Sequence, residues 1–490
     1  MACAGLVLSS AATATAARKA LPDELASKVD ISQISRHLNK LQTIADSSDG
    51  NRAASTVGHE RSAEYIASKL KAVGYTVTRQ EFPFVYTETL AQELAVAGAD
   101  VPINIMTYSP STPEGGITAP LAVIESDDTP GCEVTDYGDV TGKIVLVERG
   151  ICPFAQKQAV AAEAGAVGAI IYNNVEGPMN ATLSDPDVGR IPTGGITRVD
   201  GEALAAQDGA EVALELRALQ EDRTSYNVIA ETKTGRKDNV VVAGAHVDGV
   251  TVGAGINDNG SGSAALLETA LQLGAKPKVN NAVRFAWWSA EEYGLVGSRY
   301  YVNSLSAEQQ LDIALYLNFD MIGSPNAGYF VYDGDDSDGV GAGPGPDGSA
   351  EIEQSFVDYL AGRGVETEGR DFDGRSDYAE FIAVGIPAGG VQTGADGIKT
   401  PEQAANWGGQ AGVAYDSCYH QSCDDLDNVD LVALDRMADA MAWTVGKYAL
   451  STEDLNGVAP QAAKDDAQLA EQRNAQRQLV TADHGHDVTS

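Results

Sequence analysis

Hydrophobic positions along the chain change their spacing several times, and each change predicts an element. In residues 32–73 apolar side chains recur every three or four positions up to Gly74, which is typical of helices that end at a glycine. Residues 75–84 then alternate between apolar and polar positions, as in a strand with one buried face. The pattern therefore predicts a helical start followed by a strand.

The stretch 89–223 has a different pattern. Its short apolar segments at 121–125 and 143–147 are separated by turns rich in Asp and Gly. A helical segment at 155–164 then leads into the apolar run 165–174, which gives a βαβ-like unit. We interpret this stretch as a β-rich domain inserted into the first one.

The main domain resumes near Tyr226 with strongly apolar segments of the buried type. Each of three such segments, 240–245, 282–288 and 313–319, is followed at once or within a few positions by a polar side chain: His246, Glu291 and Asp320. In open α/β sheets the carboxyl ends of the strands form one edge, where ligand sites occur. The sequence therefore predicts a site at that edge.

Length and composition fit this division. A chain of 490 residues exceeds one ordinary core, and 43% hydrophobic residues is normal for a globular protein. After residue 447 the apolar pattern fades into a segment rich in Gln, Ala and Asp. We predict an α/β protein in four parts: a leader segment at 1–26, a main domain of 27–88 and 224–450, an inserted domain at 89–223 and a polar tail at 451–490.

The charge and the first residues limit the partners and the location. The net charge of −37 argues against nucleic acid and anionic membranes as partners, since both require basic surfaces. The start is typical of a clipped signal peptide with cleavage options near Ala16, although a disordered Ala-rich terminus is the alternative. No other apolar run approaches the roughly 20 residues that cross a bilayer. We expect a secreted protein without a membrane span.

The cysteines support the same location. Cys3 lies in the leader segment, and the other four form two local pairs, Cys132 with Cys152 and Cys418 with Cys423. An even number of closely spaced cysteines in a secreted chain favours disulfides. A second zinc site is the weaker alternative, because no histidine accompanies the first pair.

Imidazoles and carboxylates follow one another in an order that suits a metal. The pattern is His246-Val-Asp248, then Asp258, Glu291-Glu292, Asp320 and His420, and zinc prefers such a mixture of nitrogen and oxygen ligands. His246 could be a core histidine, but Asp248 two positions later is suited to orient a metal-bound ring. Asp258, otherwise a helix cap, stands in a Gly-rich loop that suits a carboxylate bridging two metals.

The other candidates divide into ligands and acid–base groups. Because neighbouring side chains diverge, one of Glu291 and Glu292 can bind metal while the other serves as general base; a solvated pair is the alternative. Asp320 interrupts an apolar run, so a partner for its charge is expected. The short Cys418–Cys423 loop contains His420 and also Tyr419, whose hydroxyl could point at a developing oxyanion.

These motifs closely resemble those of the M28 family of di-zinc aminopeptidases, nearest to the secreted Streptomyces-type leucine aminopeptidases. The segment Glu148-Arg-Gly-Ile-Cys-Pro-Phe resembles a protease-associated (PA) domain. The motifs that carry the first resemblance are Ala245-His-Val-Asp, Gly255-Ile-Asn-Asp-Asn-Gly-Ser-Gly, Trp288-Ser-Ala-Glu-Glu-Tyr-Gly, Asn318-Phe-Asp-Met-Ile-Gly, Asp373-Gly-Arg-Ser-Asp and Cys418-Tyr-His-Gln-Ser-Cys. The resemblance implies an α/β/α sandwich with a mixed central sheet and hydrolysis of N-terminal peptide bonds.

The resemblance also implies a role for each candidate. Asp258 is expected to bridge two Zn²⁺ ions, with His246 and Asp320 completing one site and Glu292 and His420 the other. Glu291 is then the general base and acid, and Tyr419 polarises the scissile carbonyl. Arg375 and Asp377 are expected on the substrate side or behind the ligands. Met321 beside Asp320 favours apolar N-terminal residues, whereas Gln392, where close relatives often carry an aromatic residue, favours a broader preference.

Several alternatives stay open from the sequence. A carboxypeptidase or a glutaminyl cyclase shares the implied fold, although a carboxypeptidase needs cations for a terminal carboxylate and only Arg375 is a candidate. A binding protein without activity is the other alternative, which the complete ligand set disfavours. The acidic loop at 333–338 has calcium-like spacing, but a solvated turn is favoured. We expect a monomer that acts on peptides; His484 and His486 in the tail predict no site.

Overall fold

A computed structural model describes residues 20–126, 129–175, 177, 179, 181–341, 343–459, 470, 471, 473 and 474. Most of the predicted leader, with Cys3, lies outside the described residues, as do most of the predicted tail and its two histidines. In the described part, no helix has both the length and the apolar character needed to cross a membrane.

Strands and helices alternate through most of the chain. The strands are β1 (Thr76–Val96), β2 (Ala99–Asp100), β3 (Asn104–Ile105), β4 (Ile117–Val123), β5 (Ile144–Glu148), β6 (Gly168–Tyr172), β7 (Thr193–Ile196), β8 (Glu211–Glu231), β9 (Arg236–His246), β10 (Asn281–Trp288), β11 (Ile313–Phe319), β12 (Phe330–Tyr332), β13 (Glu368–Arg370) and β14 (Ala388–Gln392). The helices are α1 (Leu21–Ala26), α2 (Ile31–Asp46), α3 (Val57–Ala72), α4 (Phe154–Glu163), α5 (Arg198–Ala205), α6 (Gly262–Leu273), α7 (Val296–Ser304), α8 (Ala307–Leu311), α9 (Ser349–Ala361), α10 (Ala379–Ala383), α11 (Pro401–Trp407), α12 (Leu431–Leu450) and α13 (Glu453–Asn456).

A mixed sheet forms the centre of the main domain. Its strand order is β13-β12-β14-β11-β9-β10-β8, in which β14, β11, β9 and β10 are parallel neighbours while β12 and β8 join antiparallel. The predicted buried strands correspond to β9, β10 and β11, which lie side by side. Their carboxyl ends therefore share one edge of the sheet, as the sequence predicts.

Alternating residues of β9 separate the two faces of this sheet. Val241 and Ala243 belong to a large core with α1, α2, α3, α6, α9 and α12, whereas Val240 and Val242 belong to a second core with Tyr301 of α7 and other aromatic residues. Successive side chains of a strand point to opposite faces. Helices thus cover both faces, and the predicted three-layer α/β/α arrangement is confirmed.

The inserted domain has its own strands and its own core. Strands β4, β5, β6 and β7 form parallel pairs, with Leu146 and Ile170 inside one apolar cluster and Val145 and Ala169 inside another. The predicted helix at 155–164 is α4, and the predicted strands are β4, β5 and β6. The βαβ-like unit is therefore confirmed.

Two long antiparallel strands connect the domains. β1 and β8 pair from Thr76–Glu231 to Val96–Val212, with a register irregularity between Thr89 and Ala91. The predicted domain limits at 88/89 and 223/224 fall inside these strands. The chain therefore passes from one domain to the other within a continuous ladder.

Part of the segment 451–490 packs on the main domain. Leu455 of α13 joins the large core, and Asn239 donates from its side-chain amide to the Thr452 hydroxyl at 2.8 Å. Arg473 is buried and its guanidinium donates to the carbonyls of Gln310 and Ile313. These contacts extend the main domain beyond the point where the apolar pattern of the sequence fades.

Candidate metal centre and active site

The shared edge of three strands brings the candidate ligands together. His246 is the last residue of β9, Asp320 directly follows β11, and Glu291 and Glu292 lie three and four positions after the end of β10. Asp258 stands in the turn that leads into α6. His420 arrives from a distant loop, so its proximity depends on the tertiary fold.

Asp258 lies between the two imidazoles. Its Oδ1 is 3.3 Å from His246 Nε2 and its Oδ2 is 3.2 Å from His420 Nε2. On the far sides, His246 Nε2 is 3.2 Å from Asp320 Oδ1 and His420 Nε2 is 2.9 Å from Glu292 Oε2. One carboxylate therefore serves two groups of three, His246–Asp258–Asp320 and Asp258–Glu292–His420.

Both groups are compact enough to hold an ion. In each, the nitrogen and oxygen atoms that could bind a metal lie within 4.8 Å of one another, as they do in a third group formed by His246, Glu291 and Glu292. Zinc takes nitrogen and oxygen ligands of these types at about 2.0–2.2 Å. The donor set therefore fits zinc.

The charges of these groups perturb one another strongly. Burial lowers the pKa of His246, but the neighbouring Asp320 and Glu291 carboxylates outweigh burial and raise it well above its ordinary value. Burial likewise lowers the pKa of His420, and Glu292 outweighs it, so that the pKa rises to about 10. Burial raises the pKa of Glu291 well above its ordinary value. Such perturbed groups in one cleft are typical of catalytic sites.

His246 is oriented by a backbone carbonyl. Its Nδ1 lies 3.1 Å from the carbonyl oxygen of Asp248, which can only accept, so Nδ1 carries the proton and Nε2 keeps its lone pair for a metal. The Asp248 carboxylate is 3.9 Å from Nδ1 and accepts instead from the backbone N–H of Glu291, at 3.3 Å. Asp248 thus fixes both the His246 ring and the loop of the two glutamates.

A chain of buried hydrogen bonds holds Asp320. The Ser376 hydroxyl donates to Asp320 Oδ2 at 2.7 Å, and the Asn318 side-chain amide donates to that hydroxyl at 2.8 Å. Behind them, the Tyr316 hydroxyl donates to Asn318 Oδ1 and the Trp288 indole donates to Tyr316. Sequence reasoning named Arg375 and Asp377 on either side of Ser376 but missed the serine itself.

Two further residues, which the sequence analysis did not identify, hold the main chain around Asp258. We call residues 254–259 the Asp258 loop. The Asp424 carboxylate accepts from the backbone N–H groups of Asn257 and Asp258, at 2.7 and 3.0 Å. Arg52 is fully buried, and its guanidinium donates to the carbonyls of Val247, Ala254 and Gly255. Nothing in the local sequence around Arg52 indicates this role, because its partners lie about two hundred positions away.

The open side of the centre is a cleft of about 470 Å³. Of the predicted substrate-side residues, Arg375, Met321 and Gln392 line it, whereas Asp377 is buried away from it and burial raises its pKa to about 7. Gln392 Oε1 is buried and has no hydrogen-bond partner among the described residues. The lining residues are Asp258, Glu291, Glu292, Asp320, Met321, Tyr332, Arg370, Asp373, Arg375, Ser376, Gln392, Ala395 and Tyr419.

The Tyr419 hydroxyl is available as a donor at this cleft. Arg375 donates to its oxygen from Nη2 at 3.3 Å, and because the tyrosine keeps its proton, the O–H can still donate elsewhere. Burial raises the pKa of Tyr419 well above its ordinary value, which favours the protonated hydroxyl. The ring stacks on the His420 imidazole with centroids 3.9 Å apart.

A disulfide closes the short loop that carries these two residues. Cys418 and Cys423 are bonded, as are Cys132 and Cys152 in the inserted domain. His420 has a φ of 55°, a backbone conformation that non-glycine residues adopt only at a cost. The crosslink is therefore suited to hold His420 in a position that the free chain disfavours.

Replacing Cys418 and Cys423 together with serine should weaken metal retention or turnover by about 10–100-fold, the usual effect of losing a group that orients a ligand. The free energy of unfolding should fall less than after loss of the other disulfide, because a separation of 5 residues contributes less chain entropy than one of 20. Metal affinity from chelator competition and the urea midpoint measure the two effects. The matched control, serine at Cys132 and Cys152, should lower stability more and metal affinity less; the reverse ranking would contradict this role.

Known proteins share these features. Residues 227–445 match the model of peptidase family M28, and residues 117–204 match that of the PA domain. The chain is 46% identical over 440 residues to a probable lipoprotein aminopeptidase, LpqL, of Mycobacterium tuberculosis, covering 89% of this chain and 88% of the relative. It is 44% identical over 435 residues to leucine aminopeptidase 2 of Trichophyton rubrum, covering 88% and 86%.

Solved structures give the same picture. The aminopeptidase from Aneurinibacillus sp. strain AM-1 superposes with a TM-score of 0.70 and 28% identity, covering 88% of this chain and 96% of that one. A zinc aminopeptidase from Bacillus subtilis superposes with a TM-score of 0.63 and 28% identity, covering 89% and 98%. Both similarities extend across the main and the inserted domain.

Proposed function

The chain belongs to peptidase family M28 and is a metallo-aminopeptidase with a PA domain, and from this premise we propose that it binds two zinc ions and removes apolar N-terminal residues from peptides. One observation carries the proposal of two ions: a single carboxylate, Asp258, faces an imidazole with each of its oxygens. A site for a single ion would not require the second group of three ligands.

Charge balance supports the same stoichiometry. The carboxylates of Asp258, Glu291, Glu292 and Asp320 converge with two imidazoles that are neutral when they bind a metal. Burying unpaired charges is costly, so this cluster requires compensating cations. Two divalent ions balance four carboxylates.

The protein groups divide the chemical work between them. Zinc, when bound, acts as a Lewis acid that makes water more acidic and polarises a carbonyl. Glu291 lines the cleft and lies outside the two groups that share Asp258, so it can take a proton from the attacking water and give it to the leaving amine. The Tyr419 hydroxyl, which accepts from Arg375, donates to the developing oxyanion.

The acidity of the cleft explains the preference for a free N-terminus. The α-ammonium group of a peptide is attracted by the carboxylates of Glu291 and Asp320, which line the cleft. An N-acylated peptide lacks this charge, and its acyl group needs additional space at the N-terminus of the substrate. Each cleavage should therefore release only the residue that carries the free N-terminus.

Purified protein tests the proposal directly. Elemental analysis should find about two zinc ions per chain, and unblocked aminoacyl p-nitroanilides should be hydrolysed while N-acetylated ones are not. About one ion per chain with full activity would contradict the two-ion site. Release of C-terminal residues from N-acetylated peptides would instead support the carboxypeptidase alternative.

We also propose export from the cytoplasm and action as a monomer, and at the acidic loop a calcium ion is the alternative to the favoured solvated turn. Two disulfides are typical of oxidising compartments. In the loop, ligand atoms of Asp333, Asp336 and Asp338 lie within 4.8 Å of one another, although exposed acidic groups often cluster without an ion. The elemental analysis measures calcium as well. If no calcium were found after dialysis against a calcium buffer, the acidic loop would be a solvated turn without an ion.

Replacing Gln392 with phenylalanine should narrow the preference of the enzyme. The unpartnered Gln392 Oε1 can accept from a polar N-terminal side chain, and leaving it unpaired against an apolar one costs about 1–3 kcal/mol. The ratio of kcat/KM for Leu over Gln p-nitroanilide should therefore rise about 5–150-fold in the variant, with Met, Phe and Lys substrates completing the profile. A wild-type profile dominated by Leu and unchanged by the substitution would show that Gln392 does not contact the side chain.

A further inference from the structure

The inserted domain reaches the two catalytic glutamates through one tyrosine. The Tyr108 hydroxyl donates to the backbone carbonyl of Tyr293 at 2.6 Å, in a buried contact between residues 185 positions apart. Tyr293 directly follows Glu292. We call residues 289–295 the glutamate loop, because they carry Glu291 and Glu292.

Tyr108 is anchored firmly on the side of the inserted domain. Its ring belongs to an apolar cluster with Phe154, Ile171 and Leu183. The neighbouring Thr107 donates its N–H to Ala181 and accepts from the N–H of Leu183, both at 2.9 Å. The hydroxyl therefore extends from a fixed base, and its position is set by the inserted domain.

The glutamate loop needs outside contacts to keep its shape. Ala290 and Leu295 both have positive φ values, 57° and 59°, which cost free energy in residues with a Cβ. Inside the loop, the amides of Gly294 and Leu295 donate to the carbonyl of Glu291, which closes a tight turn. A strained turn of this kind persists only where its surroundings hold it in place.

The main domain also holds the loop, because the Asp248 carboxylate accepts from the backbone N–H of Glu291 at 3.3 Å. Further contacts come from the long strand β1. The Tyr293 ring packs on Phe84 and Tyr86, with centroids 5.3 and 5.5 Å apart. These contacts hold the side chain of Tyr293 but leave its carbonyl to Tyr108. The hydrogen bond from Tyr108 is thus the direct polar tie between the core of the inserted domain and the main chain of the loop.

We propose that Tyr108 is a positioning residue, through which the inserted domain holds the main chain of the glutamate loop so that Glu291 and Glu292 face the cleft. This inference rests on the proposed function, because it assigns Glu291 to proton transfer and Glu292 to metal binding. It gives the inserted domain a part in catalysis without a catalytic group of its own.

The test compares Tyr108→Phe with Tyr137→Phe in the full-length, zinc-loaded protein. Tyr137 is an equally buried tyrosine of the inserted domain whose hydroxyl donates to the carbonyls of Gly131 and Lys157, at 2.8 and 3.0 Å. Both variants lose a buried hydroxyl and keep the ring. Only Tyr108→Phe releases the glutamate loop, so the pair separates positioning from general destabilisation.

Three readouts are expected to move together in Tyr108→Phe and to stay near wild type in Tyr137→Phe. The kcat for Leu p-nitroanilide falls about 10–100-fold with KM changed less than about twofold, as for other groups that orient an active site. Zinc is lost at lower chelator concentration, and amide hydrogen exchange over 289–296 becomes faster.

Unchanged kcat and exchange in Tyr108→Phe would overturn the proposal, and so would equal losses in the two variants. The exchange measurement does not depend on the reaction. If the wild-type protein failed to hydrolyse any aminoacyl p-nitroanilide, the proposed function would fail, while faster exchange confined to Tyr108→Phe would still support the hold on the loop.

Discussion

The Glu291→Gln variant should keep its zinc and lose about 10²–10⁴-fold in kcat, the usual contribution of a positioned acid–base group. Glutamine matches the shape of glutamate and can still donate or accept hydrogen bonds, but it cannot take a proton from water. Glu291 lines the cleft and lies outside both groups of three that share Asp258. Elemental analysis and turnover of Leu p-nitroanilide measure the two quantities on the same sample.

Glu292→Gln is the matched control, because the two residues are neighbours in sequence with different proposed roles. Glu292 Oε2 lies 2.9 Å from His420 Nε2, on the side of the second group. Its variant should therefore lose metal as well as turnover. Because Glu291 could also bind metal with His246 and Glu292, loss of zinc from Glu291→Gln would assign it as a ligand and leave the general base unidentified.

Much of the proposed metal centre could be predicted because its candidate ligands follow buried strands. The apolar runs that become β9, β10 and β11 are visible without any tertiary information, and the residues after them converge since parallel neighbours share an edge. The position of His420 was different. The residue pattern already made it a candidate ligand, but its assignment to the second site depended on the family resemblance, because a loop about one hundred positions further along the chain cannot be placed beside Asp320 by periodicity.

The supporting contacts could not be predicted, because they join segments without a shared local pattern. Ser376 binds Asp320 across 56 positions, and Tyr108 binds Tyr293 across 185. The domain limits at 88/89 and 223/224 stay a prediction. They rest on a change of pattern and fall inside β1 and β8, which are each one strand, so no turn marks the passage between the domains.

The contacts of Arg52 also join distant segments and could not be predicted from the sequence. Replacing Arg52 with methionine should have a large effect on the free energy of unfolding. The guanidinium is fully buried and donates to the carbonyls of Val247, Ala254 and Gly255, which lie near the two ends of the segment that connects His246 with Asp258. Methionine fills similar space but leaves the carbonyls of Val247 and Ala254 without a donor among the described residues, while Gly255 keeps the backbone N–H of Gly260 at 3.1 Å. Each buried acceptor left unpaired costs about 1–3 kcal/mol.

The charge of Arg52 adds to this effect. Asp424, Asp248 and Asp258 all lie close enough to interact with the guanidinium, so its loss leaves a cluster of buried carboxylates without their cation. Removing one partner from a buried charged group typically costs about 3–5 kcal/mol. We expect Arg52→Met to lower the free energy of unfolding by about that amount and to weaken zinc binding, because the Asp258 loop loses its tether.

Urea unfolding of the zinc-free and zinc-loaded forms measures both effects, and Arg52→Lys separates geometry from charge. Lysine keeps the positive charge, but its single ammonium group cannot reproduce the planar fork that reaches three carbonyls at both ends of the segment that connects His246 with Asp258. It should therefore recover only a minor part of the lost stability and of the zinc affinity. If Arg52→Lys behaved like the wild-type protein, the charge alone would account for the role of Arg52, and the positioning of Asp258 would have to be assigned to Asp424 and its bonds to Asn257 and Asp258.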